Sequence, residues 1–342
     1  MRALITGGAG FIGSHLAESL LQQGHTVSVL DNLSTGCLEN IEHLRSHPRF
    51  SFTLASVMDE QVLGRLIDRA DVVFHLAAAV GVKLVVERPV HTIETNVHGT
   101  EVVLRHARRQ RKLVLLASTS EVYGKSAKLP FSEDADLVLG PPAKTRWGYA
   151  SSKLLDEFLA IGYWKEHQSP VIVVRLFNTV GPRQSARYGM VLPNFVRRAL
   201  EGQPITVHGD GTQTRSFTWV GDVVAAMTAL VQEPKAVGEV FNIGNGAEIS
   251  IGVLAAKVKA MTDSDSPIDF VRYDQVFDDS FEDMPRRVPD ISKIGRYVGY
   301  KPSVHLDEII ERVIEYWTTE QHRAVAAASF TSVGLHSSAP CA

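Results

Sequence analysis

The first half of the chain alternates short, almost continuously apolar runs with longer segments of helical period. The apolar runs predict strands at residues 3–6, 26–30, 72–75, 113–117 and 171–174, and the periodic segments predict helices at residues 11–23, 59–69, 90–109 and 148–167. Strands that are apolar throughout are typical of parallel sheets, because helices cover both of their faces. The alternation therefore predicts an α/β fold with a right-handed, doubly wound parallel sheet over residues 1–174.

The pattern becomes less regular after residue 175. Helices are predicted at residues 190–201, 221–232, 250–261 and 306–317, separated by short strands and by loops rich in Gly and Pro. We interpret residues 175–322 as a smaller α/β domain that covers the sheet and is partly interleaved with the first domain. Residues 323–342 are rich in Ala and Ser without helical period, which predicts a flexible tail.

Composition argues against several classes of partner. A net charge of −3 over 342 residues gives no general attraction to nucleic acid or to anionic lipid. A membrane span needs roughly 20 consecutive apolar residues. The longest apolar run, residues 72–82, contains His75 and ends at Lys83. The two cysteines, Cys37 and Cys341, offer neither a disulfide framework nor a metal-ligand spacing, so we expect no metal site and a cytoplasmic location.

A glycine-rich segment joins the first predicted strand to the first predicted helix. Glycines at positions 7, 10 and 13 let backbone amides approach a pyrophosphate at the helix N-terminus. Asp31 ends the second strand, where a carboxylate can accept hydrogen bonds from ribose hydroxyls and repel a 2′-phosphate; a solvated turn aspartate is the alternative. The small residues after His75 would let the backbone lie against a flat cofactor. These features predict a Rossmann-type sheet that binds NAD in preference to NADP.

A tyrosine and a lysine lie one turn apart on the helix predicted at residues 148–167. Tyr149 and Lys153 have i and i+4 spacing, so their side chains share one face. The ammonium group would lower the pKa of the phenol and make it a general base for an alcohol proton. The hydroxyls of residues 118–120 follow a strand, at the sheet edge where open α/β folds bind ligands. Taken singly, these features are also compatible with a helix-surface pair and a Ser/Thr cap.

Further motifs join these in a fixed order along the chain. The matching segments are residues 6–13, 31–36, 75–78, 96–100, 118–124, 149–153, 175–178, 181–183 and 209–215. Together they resemble the extended short-chain dehydrogenase/reductase family, in its branch of nucleotide-sugar epimerases, decarboxylases and dehydratases. The resemblance implies that NAD takes a hydride from sugar C4 while Tyr149 removes the 4-hydroxyl proton. Thr119 would assist and Lys153 would also contact the nicotinamide ribose, with Ser120 and Glu121 completing the candidate catalytic set.

The resemblance also assigns binding residues. The candidate cofactor contacts are Gly7, Gly10, Phe11, Ile12, Gly13, Asp31, Asn32, Ser34, Thr35, Gly36, Ser56, Val57, Leu76, Ala77, Ala78, Asn96, Tyr149 and Lys153. Ser56 stands where the family often has an adenine-contacting Asp, which weakens the expected adenine contact. The candidate contacts to a UDP-sugar are Asn178, Arg183, Arg187, Val191, Thr206, Val207, His208, Arg215, Arg287 and Asp290. Of these, Arg183 and Arg187 could bind a sugar carboxylate through charge-assisted hydrogen bonds.

Three reactions can follow a 4-keto sugar, and the motifs separate them only partly. Dehydration is disfavoured because Ser120 and Glu121 replace the Asp-Glu pair of the dehydratases. The segment Thr119–Glu121 resembles the decarboxylases, whereas Tyr149–Lys153 lacks their Tyr-Asp-Glu-Gly-Lys sequence and suits the epimerases. We therefore expect a C4 epimerase acting on a UDP-hexose or UDP-hexuronate, UDP-glucuronate among the candidates. A UDP-glucuronate decarboxylase is the alternative.

Two expectations concern the molecule as a whole. An NAD-binding sensor or scaffold on the same fold is the non-enzyme alternative, because a fold alone does not define an activity. The family commonly pairs through the two helices predicted at residues 90–109 and 148–167. The resemblance therefore implies a homodimer with a four-helix interface.

Overall fold

The computed structural model of the protein describes residues 1–186, 190–276 and 282–331. The strands are β1 (Arg2–Thr6), β2 (Thr26–Asp31), β3 (Phe50–Leu54), β4 (Val72–His75), β5 (Leu113–Thr119), β6 (Val171–Leu176), β7 (Thr179–Val180), β8 (Ile205–His208), β9 (Thr214–Ser216), β10 (Thr218–Trp219), β11 (Val240–Ile243), β12 (Glu248–Ser250) and β13 (Ile268–Val271). The helices are α1 (Phe11–Gln22), α2 (Glu39–Glu42), α3 (Glu60–Arg69), α4 (Val82–Glu87), α5 (Pro89–Arg109), α6 (Arg146–His167), α7 (Val191–Leu200), α8 (Val220–Leu230), α9 (Ile251–Met261), α10 (Tyr273–Val276), α11 (Ser292–Val298) and α12 (Leu306–Thr331). Short 3-10 helices cover Ser120–Tyr123 and Pro234–Ala236.

A seven-stranded sheet forms the centre of the molecule. Its order is β11-β6-β5-β4-β1-β2-β3, and every neighbouring pair is parallel. The chain winds outwards from β1 in one direction and from β4 in the other, so the order reverses between these two strands. Parallel α/β sheets bind ligands in the crevice at such a reversal. The predicted Rossmann-type α/β fold is confirmed.

Helices cover both faces of this sheet. On one face α1 and α8 bury Leu16, Leu20, Val223 and Met227 in one apolar core. On the other face α3, α5 and α6 contribute to a second core. Burying one leucine side chain stabilises a fold by about 1.5–3 kcal/mol, so these cores fix the sheet against its helices. Both α8 and β11 come from the later half of the chain, and they interleave that half with the sheet.

The rest of the later half forms a smaller unit over the carboxyl ends of the strands. Its core joins α7, α9 and α12 with β8, and it includes Phe195, Leu254 and Ile310. The four helices predicted after residue 175 are all present, and each begins within one residue of its predicted start. The last of them continues to Thr331, into the segment from residue 323 for which the sequence predicts a tail. Residues 332–342 lie outside the described part of the chain.

Two strands of the main sheet, β3 and β11, were not predicted from the continuously apolar runs of the sequence. The edge strand β3 has the sequence FSFTL and is only partly buried, because one of its edges and part of its faces meet water. The strand β11 lies far along the chain, after the smaller unit has begun. Within the described ranges, no helix combines the length and the apolar character that crossing a bilayer requires.

Candidate functional site

A cavity of about 1120 Å³ lies at the carboxyl edge of the sheet, between the sheet and the smaller unit. Its walls include the β1–α1 loop, the ends of β2, β4 and β5, the start of α6 and residues from α7 and α12. This is the crevice that the strand order predicts for a ligand. All five candidate catalytic residues line it, as do all candidate cofactor contacts except Asn96.

The glycines of the β1–α1 loop allow backbone segments to approach closely. Gly7 has a φ of +73°, and a Cβ placed there would lie 2.7 Å from the backbone nitrogen of Ala77. A Cβ on Gly13 would lie 2.3 Å from the carbonyl oxygen of Gly7. Such distances exclude any side chain unless the backbone moves. The loop therefore brings unobstructed backbone to the N-terminus of α1, where a pyrophosphate is favoured.

Asp31 lies at the end of β2 in the cavity wall. Its Oδ2 atom accepts a hydrogen bond from the Ala9 amide at 3.0 Å, and its Oδ1 atom accepts one from the Leu33 amide at 2.8 Å. Burial raises the pKa of the carboxyl from its usual value, and the backbone hydrogen bonds partly offset this effect. Each oxygen keeps further acceptor capacity, so the group suits the ribose hydroxyls of NAD. The wall made by Gly7, Gly13 and Asp31 thus fits this cofactor.

Asn96 is the candidate cofactor residue that the structure does not bring to the cavity. Its Oδ1 atom accepts a hydrogen bond from the Ala79 amide at 2.7 Å, and its Nδ2 atom donates to Ser152 Oγ at 3.0 Å. The side chain is buried between the segment after β4 and helix α6. Asn96 thus joins the segment after β4 to α6, and its expected contact with the cofactor stays a prediction.

Tyr149 and Lys153 share one face of α6, as their spacing predicts, and both line the cavity. Burial raises the pKa of the Tyr149 phenol, and the carboxylates of Glu121 and Asp156 raise it further. Interaction with the Thr119 hydroxyl acts in the opposite direction. The ammonium group of Lys153 lies 2.7 Å from Asp156 Oδ2. Burial and the two carboxylates thus raise the phenol pKa in this structure, while the lowering of that pKa by Lys153 stays a prediction.

Three arginines and two carboxylates form a charged cluster beside Tyr149. Glu121 Oε1 lies 3.3 Å from Arg287 Nη1 and 3.7 Å from Arg146 Nη2. Asp283 Oδ1 lies 2.8 Å from Arg215 Nη2 and 3.1 Å from Arg146 Nη1. With three guanidinium groups and two carboxylates, these five residues carry one excess positive charge, which favours an anionic substrate.

Arg287 has unused donor capacity within this cluster. Its Nε atom is buried and has no hydrogen-bond partner among the described residues. Burial lowers the pKa of its guanidinium to about 10, and the positive charge of Arg215 adds to this effect. The group remains cationic near neutral pH. A buried donor without a partner is costly, and a bound oxyanion would satisfy it.

Sequence reasoning missed part of this cluster. Arg146 and Asp283 were not among the candidates, and neither was Tyr273, which donates a hydrogen bond to Asp283 Oδ2 at 2.8 Å. Arg146 could have been predicted, because it lies three residues before Tyr149 and side chains at i and i+3 share a helix face. Asp283 lies in an irregular segment and Tyr273 begins the four-residue helix α10, and neither position gives a comparable signal.

Three other candidate substrate residues lie at the cavity. They are Asn178, Arg183 and Val191. Asn178 donates from Nδ2 to the Ser216 carbonyl at 2.8 Å. Arg183 donates to Glu18 Oε2 at 2.7 Å, which draws its guanidinium towards α1 and away from the Glu121 cluster. The proposed role of Arg183 at a sugar carboxylate is therefore not supported, and Arg187 lies outside the described residues.

Four candidate substrate residues do not line the cavity. Val207 is fully buried in the core of the smaller unit, and its neighbour Thr206 accepts a hydrogen bond from Arg198 at 3.1 Å. His208 ends the same strand, and the base pocket expected at residues 206–208 stays a prediction. Asp290 accepts a hydrogen bond from the Ser292 amide at 2.8 Å, at the start of α11. Within the described part of the chain, no cluster of three potential ligand side chains could hold a metal ion.

Comparisons with known proteins agree with the fold. A family model described as GDP-mannose 4,6 dehydratase matches residues 4–313. The chain is 43% identical to UDP-N-acetyl-alpha-D-glucosaminuronate decarboxylase from Bacillus cytotoxicus, over 92% of this chain and 97% of the relative. It is 37% identical to UDP-glucuronic acid decarboxylase 1 from Xenopus tropicalis, over 94% of this chain and 74% of the relative.

A solved structure extends the likeness to ligand-bound proteins. UDP-glucuronic acid 4-epimerase from Bacillus cereus, in complex with UDP-glucuronic acid and NAD, matches with a TM-score of 0.83 and 30% identity. The match covers 94% of this chain and all of that protein. The predicted NAD cofactor agrees with this relative, and the predicted family is confirmed. The chain belongs to the GDP-mannose 4,6 dehydratase family of extended short-chain dehydrogenases/reductases, whose members are NAD-dependent enzymes that convert nucleotide sugars.

Proposed function

We propose that this protein decarboxylates a UDP-hexuronate with NAD as cofactor. The ion pair between Glu121 and Arg287, at 3.3 Å beside Tyr149, carries the proposal. The two decarboxylases named above match 92% and 94% of this chain. Each is more similar to the chain in sequence than the epimerase of known structure is. The C4 epimerase expected from the sequence gives way to the decarboxylase alternative.

The cavity residues suit the oxidation that opens such a reaction. NAD, when bound, accepts the hydride from sugar C4 and returns it at the end of the cycle. Tyr149 takes the proton of the 4-hydroxyl group, and Thr119 holds the same oxygen. Since burial and neighbouring carboxylates raise the pKa of Tyr149, the ionised base is scarce at neutral pH and turnover should increase with pH.

The charged cluster suits the loss of carbon dioxide from the 4-keto sugar. Arg287 and Arg146 can donate hydrogen bonds to the C6 carboxylate and hold it in the cavity. The C5–C6 bond breaks, carbon dioxide leaves, and the electron pair moves into the C4 ketone as an enolate. A proton from solvent then adds to C5 and restores the ketone. Glu121 supports this step by holding Arg287 and Arg146 in position beside the carboxylate.

The same cluster opposes epimerisation. An epimerase must turn the 4-keto sugar so that its opposite face receives the hydride. A carboxylate bound to two guanidinium groups resists this rotation, because the charge-assisted hydrogen bonds would have to break first. Dehydration is also disfavoured, since Ser120 stands beside Glu121 where the dehydratases have an acid.

Mass spectrometry of the nucleotide product tests the proposal. After incubation with UDP-glucuronate, and separately with UDP-N-acetylglucosaminuronate, we expect a product lighter by one carbon dioxide from at least one of them. A product of unchanged mass but altered chromatographic retention would show epimerisation and overturn the proposal. Unconverted substrate in both incubations would also contradict it.

Two variants connect the reaction with the geometry. Tyr149→Phe should abolish turnover while NAD remains bound, which excludes a scaffold role. Glu121→Gln keeps the size of the side chain and removes its charge, and we expect carbon dioxide release to fall roughly 100-fold. Undiminished release by Glu121→Gln would show that the Glu121–Arg287 pair is not part of the reaction.

A further inference from the structure

A buried ion pair lies directly behind the catalytic face of α6. Lys153 Nζ is 2.7 Å from Asp156 Oδ2, and the two side chains are 3% and 0% exposed. Lys153 lines the cavity, whereas Asp156 lies behind the wall. The pair is formed within one helix by residues three positions apart, so it holds no separate elements together.

The pair is poorly explained by stability alone. Removing two charges from water costs several kcal/mol, and their attraction repays this cost only when all hydrogen-bonding capacity is used. Burial raises the pKa of Asp156, and Lys153 and Thr100 on α5 favour its charged form, but Oδ1 has no hydrogen-bond partner of ordinary geometry among the described residues. A buried carboxylate with an unused oxygen is a costly feature, which indicates a role in the site.

Asp156 is the ion-pair partner of Lys153, and the groups packed around the pair do not replace it. On β4, His75 is buried and neutral, because burial and the charge of Lys153 lower its pKa to about 3. On α6, the carboxylate of Glu157 binds Arg175 at 2.8 Å and accepts a hydrogen bond from Ser118 at 2.5 Å. Neither His75 nor Glu157 therefore takes the place of Asp156.

We propose that Asp156 is a positioning residue that holds the ammonium group of Lys153 and thereby controls how readily Tyr149 ionises. Asp156 does not line the cavity, so it acts through its neighbours. The proposal rests on the proposed function only for the oxidation of a sugar hydroxyl, which epimerisation shares with decarboxylation. In this proposal the carboxylate of Asp156 balances the positive charge of Lys153 near the Tyr149 phenol.

The charges facing Tyr149 give the direction of the effect. Glu121 in the 3-10 helix after β5 and Asp156 on α6 favour the neutral phenol, whereas Arg287, from the segment before α11, favours the phenolate. Thr119 at the end of β5 also favours the phenolate. Replacing Asp156 by Asn removes one negative charge and leaves the positive charge of Lys153 uncompensated. Both changes stabilise the phenolate, so Tyr149 should lose its proton at lower pH.

Two pH titrations of Asp156→Asn test whether Asp156 controls the ionisation of Tyr149. The first follows kcat/KM for the nucleotide sugar, and the second follows tyrosinate absorbance of the NAD-bound protein, with Tyr149→Phe in the same background subtracted. We expect the acid limb of the first profile and the midpoint of the second to move about one pH unit lower than in the wild type. Glu166→Gln, the same kind of charge removal at an exposed position of α6, should move neither.

The outcomes are separable from those of the proposed function. Unchanged midpoints in Asp156→Asn, with an unfolding curve like that of the wild type, would overturn the role of Asp156. If Asp156→Asn fails to fold, Asp156→Ser removes the same charge with a smaller side chain and must give the same shift. A wild type that releases no carbon dioxide refutes the decarboxylase proposal alone, because the tyrosinate titration needs no turnover.

Discussion

At the scale of single residues, the surroundings of a side chain determine its charge in this cavity. His75 shows this clearly: its Nδ1 lies 2.7 Å from Thr6 Oγ1 and its Nε2 lies 3.2 Å from Thr100 Oγ1. Both partners are neutral hydroxyls, while Lys153 is nearby and positive. Burial and this charge keep the imidazole neutral. His75 thus fills the space between β1, β4 and α5 without adding charge behind the cofactor wall.

The buried histidine predicts a pH dependence of stability. In the unfolded chain His75 takes up a proton near its ordinary pKa of 6.5, but in the folded protein only near 3. The unfolded state therefore binds more protons at acid pH, and stability is lost as the pH falls from 6.5 towards 3. We expect His75→Asn to reduce the slope of the free energy of unfolding against pH by about 1.4 kcal/mol per pH unit.

Urea denaturation at several pH values between about 6 and 4 measures this slope. The exposed His98 on α5 offers a matched control, and His98→Asn should leave the slope unchanged. Equal slopes for the wild type and His75→Asn would show that His75 is charged in the folded state. A lower stability of His75→Asn at all pH values, from lost hydrogen bonds, does not affect this comparison.

The candidate catalytic residues were predictable where their chemistry follows from local spacing. Tyr149 and Lys153 share a helix face at i and i+4, and the structure places both at the cavity. The spacing of Tyr149 and Lys153 could not show that Asp156 would balance the lysine charge. Asp156 is buried only because α5 packs against α6, and that packing is not visible in the local sequence. For the same reason Arg183 was predictable as a cavity residue but not as the partner of Glu18.

At the scale of elements, the β1–α1 loop depends on backbone approach more than on side-chain contacts. Gly13 is the tightest point, since a Cβ there would meet Gly7 O at 2.3 Å and Gly8 Cα at 2.7 Å. Both are backbone atoms, which cannot turn away as a flexible side chain can. Any side chain at residue 13 must push α1 away from the loop.

Gly13→Ala is therefore expected to damage cofactor binding. The displaced helix N-terminus would present its amides at the wrong distance, and we expect the Kd for NAD to increase at least ~10-fold. Isothermal titration calorimetry measures this change. Gly295→Ala on α11 is the control, because a Cβ there meets only Tyr300 O at 3.5 Å. It should leave the Kd unchanged, and Gly13→Ala with wild-type affinity would refute the close-approach argument.

Elements with a strong local pattern were predictable, and elements that depend on distant partners were not. The buried strands and amphipathic helices of the first 174 residues matched their predicted positions closely. Strand β11 joins the sheet by pairing with β6, a partner more than sixty residues earlier, and its sequence carries no sign of that pairing. The burial of Val207 depends on distant partners in the same way, since β8 pairs with β13 and lies in the core of the smaller unit.

At the scale of the whole molecule, the outer surface of α5 and α6 is unusually apolar for a face in water. Val90 and Ile93 on α5 are 66% and 41% exposed, and Leu155 and Phe158 on α6 are 46% and 68% exposed. One turn beyond Phe158, a Cβ at Gly162 would meet nothing within 4 Å, so the helix surface there is open. A contiguous exposed apolar face marks an interaction site. These residues lie on the two helices through which the family resemblance implies pairing.

We propose that this face pairs with its counterpart on a second copy as an isologous four-helix interface. The wild type should then have the mass of a dimer in size-exclusion chromatography with light scattering. Phe158→Glu places a charge at the most exposed apolar position of the face. Burying that charge in the dimer would cost more than the interface gains, so we expect a monomer at micromolar concentration.

Phe270→Glu makes the same substitution at a phenylalanine of β13 that is 57% exposed and lies on the smaller unit. It should remain dimeric. A monomeric wild type, or a Phe158→Glu variant that stays dimeric, would place the interface elsewhere or exclude it.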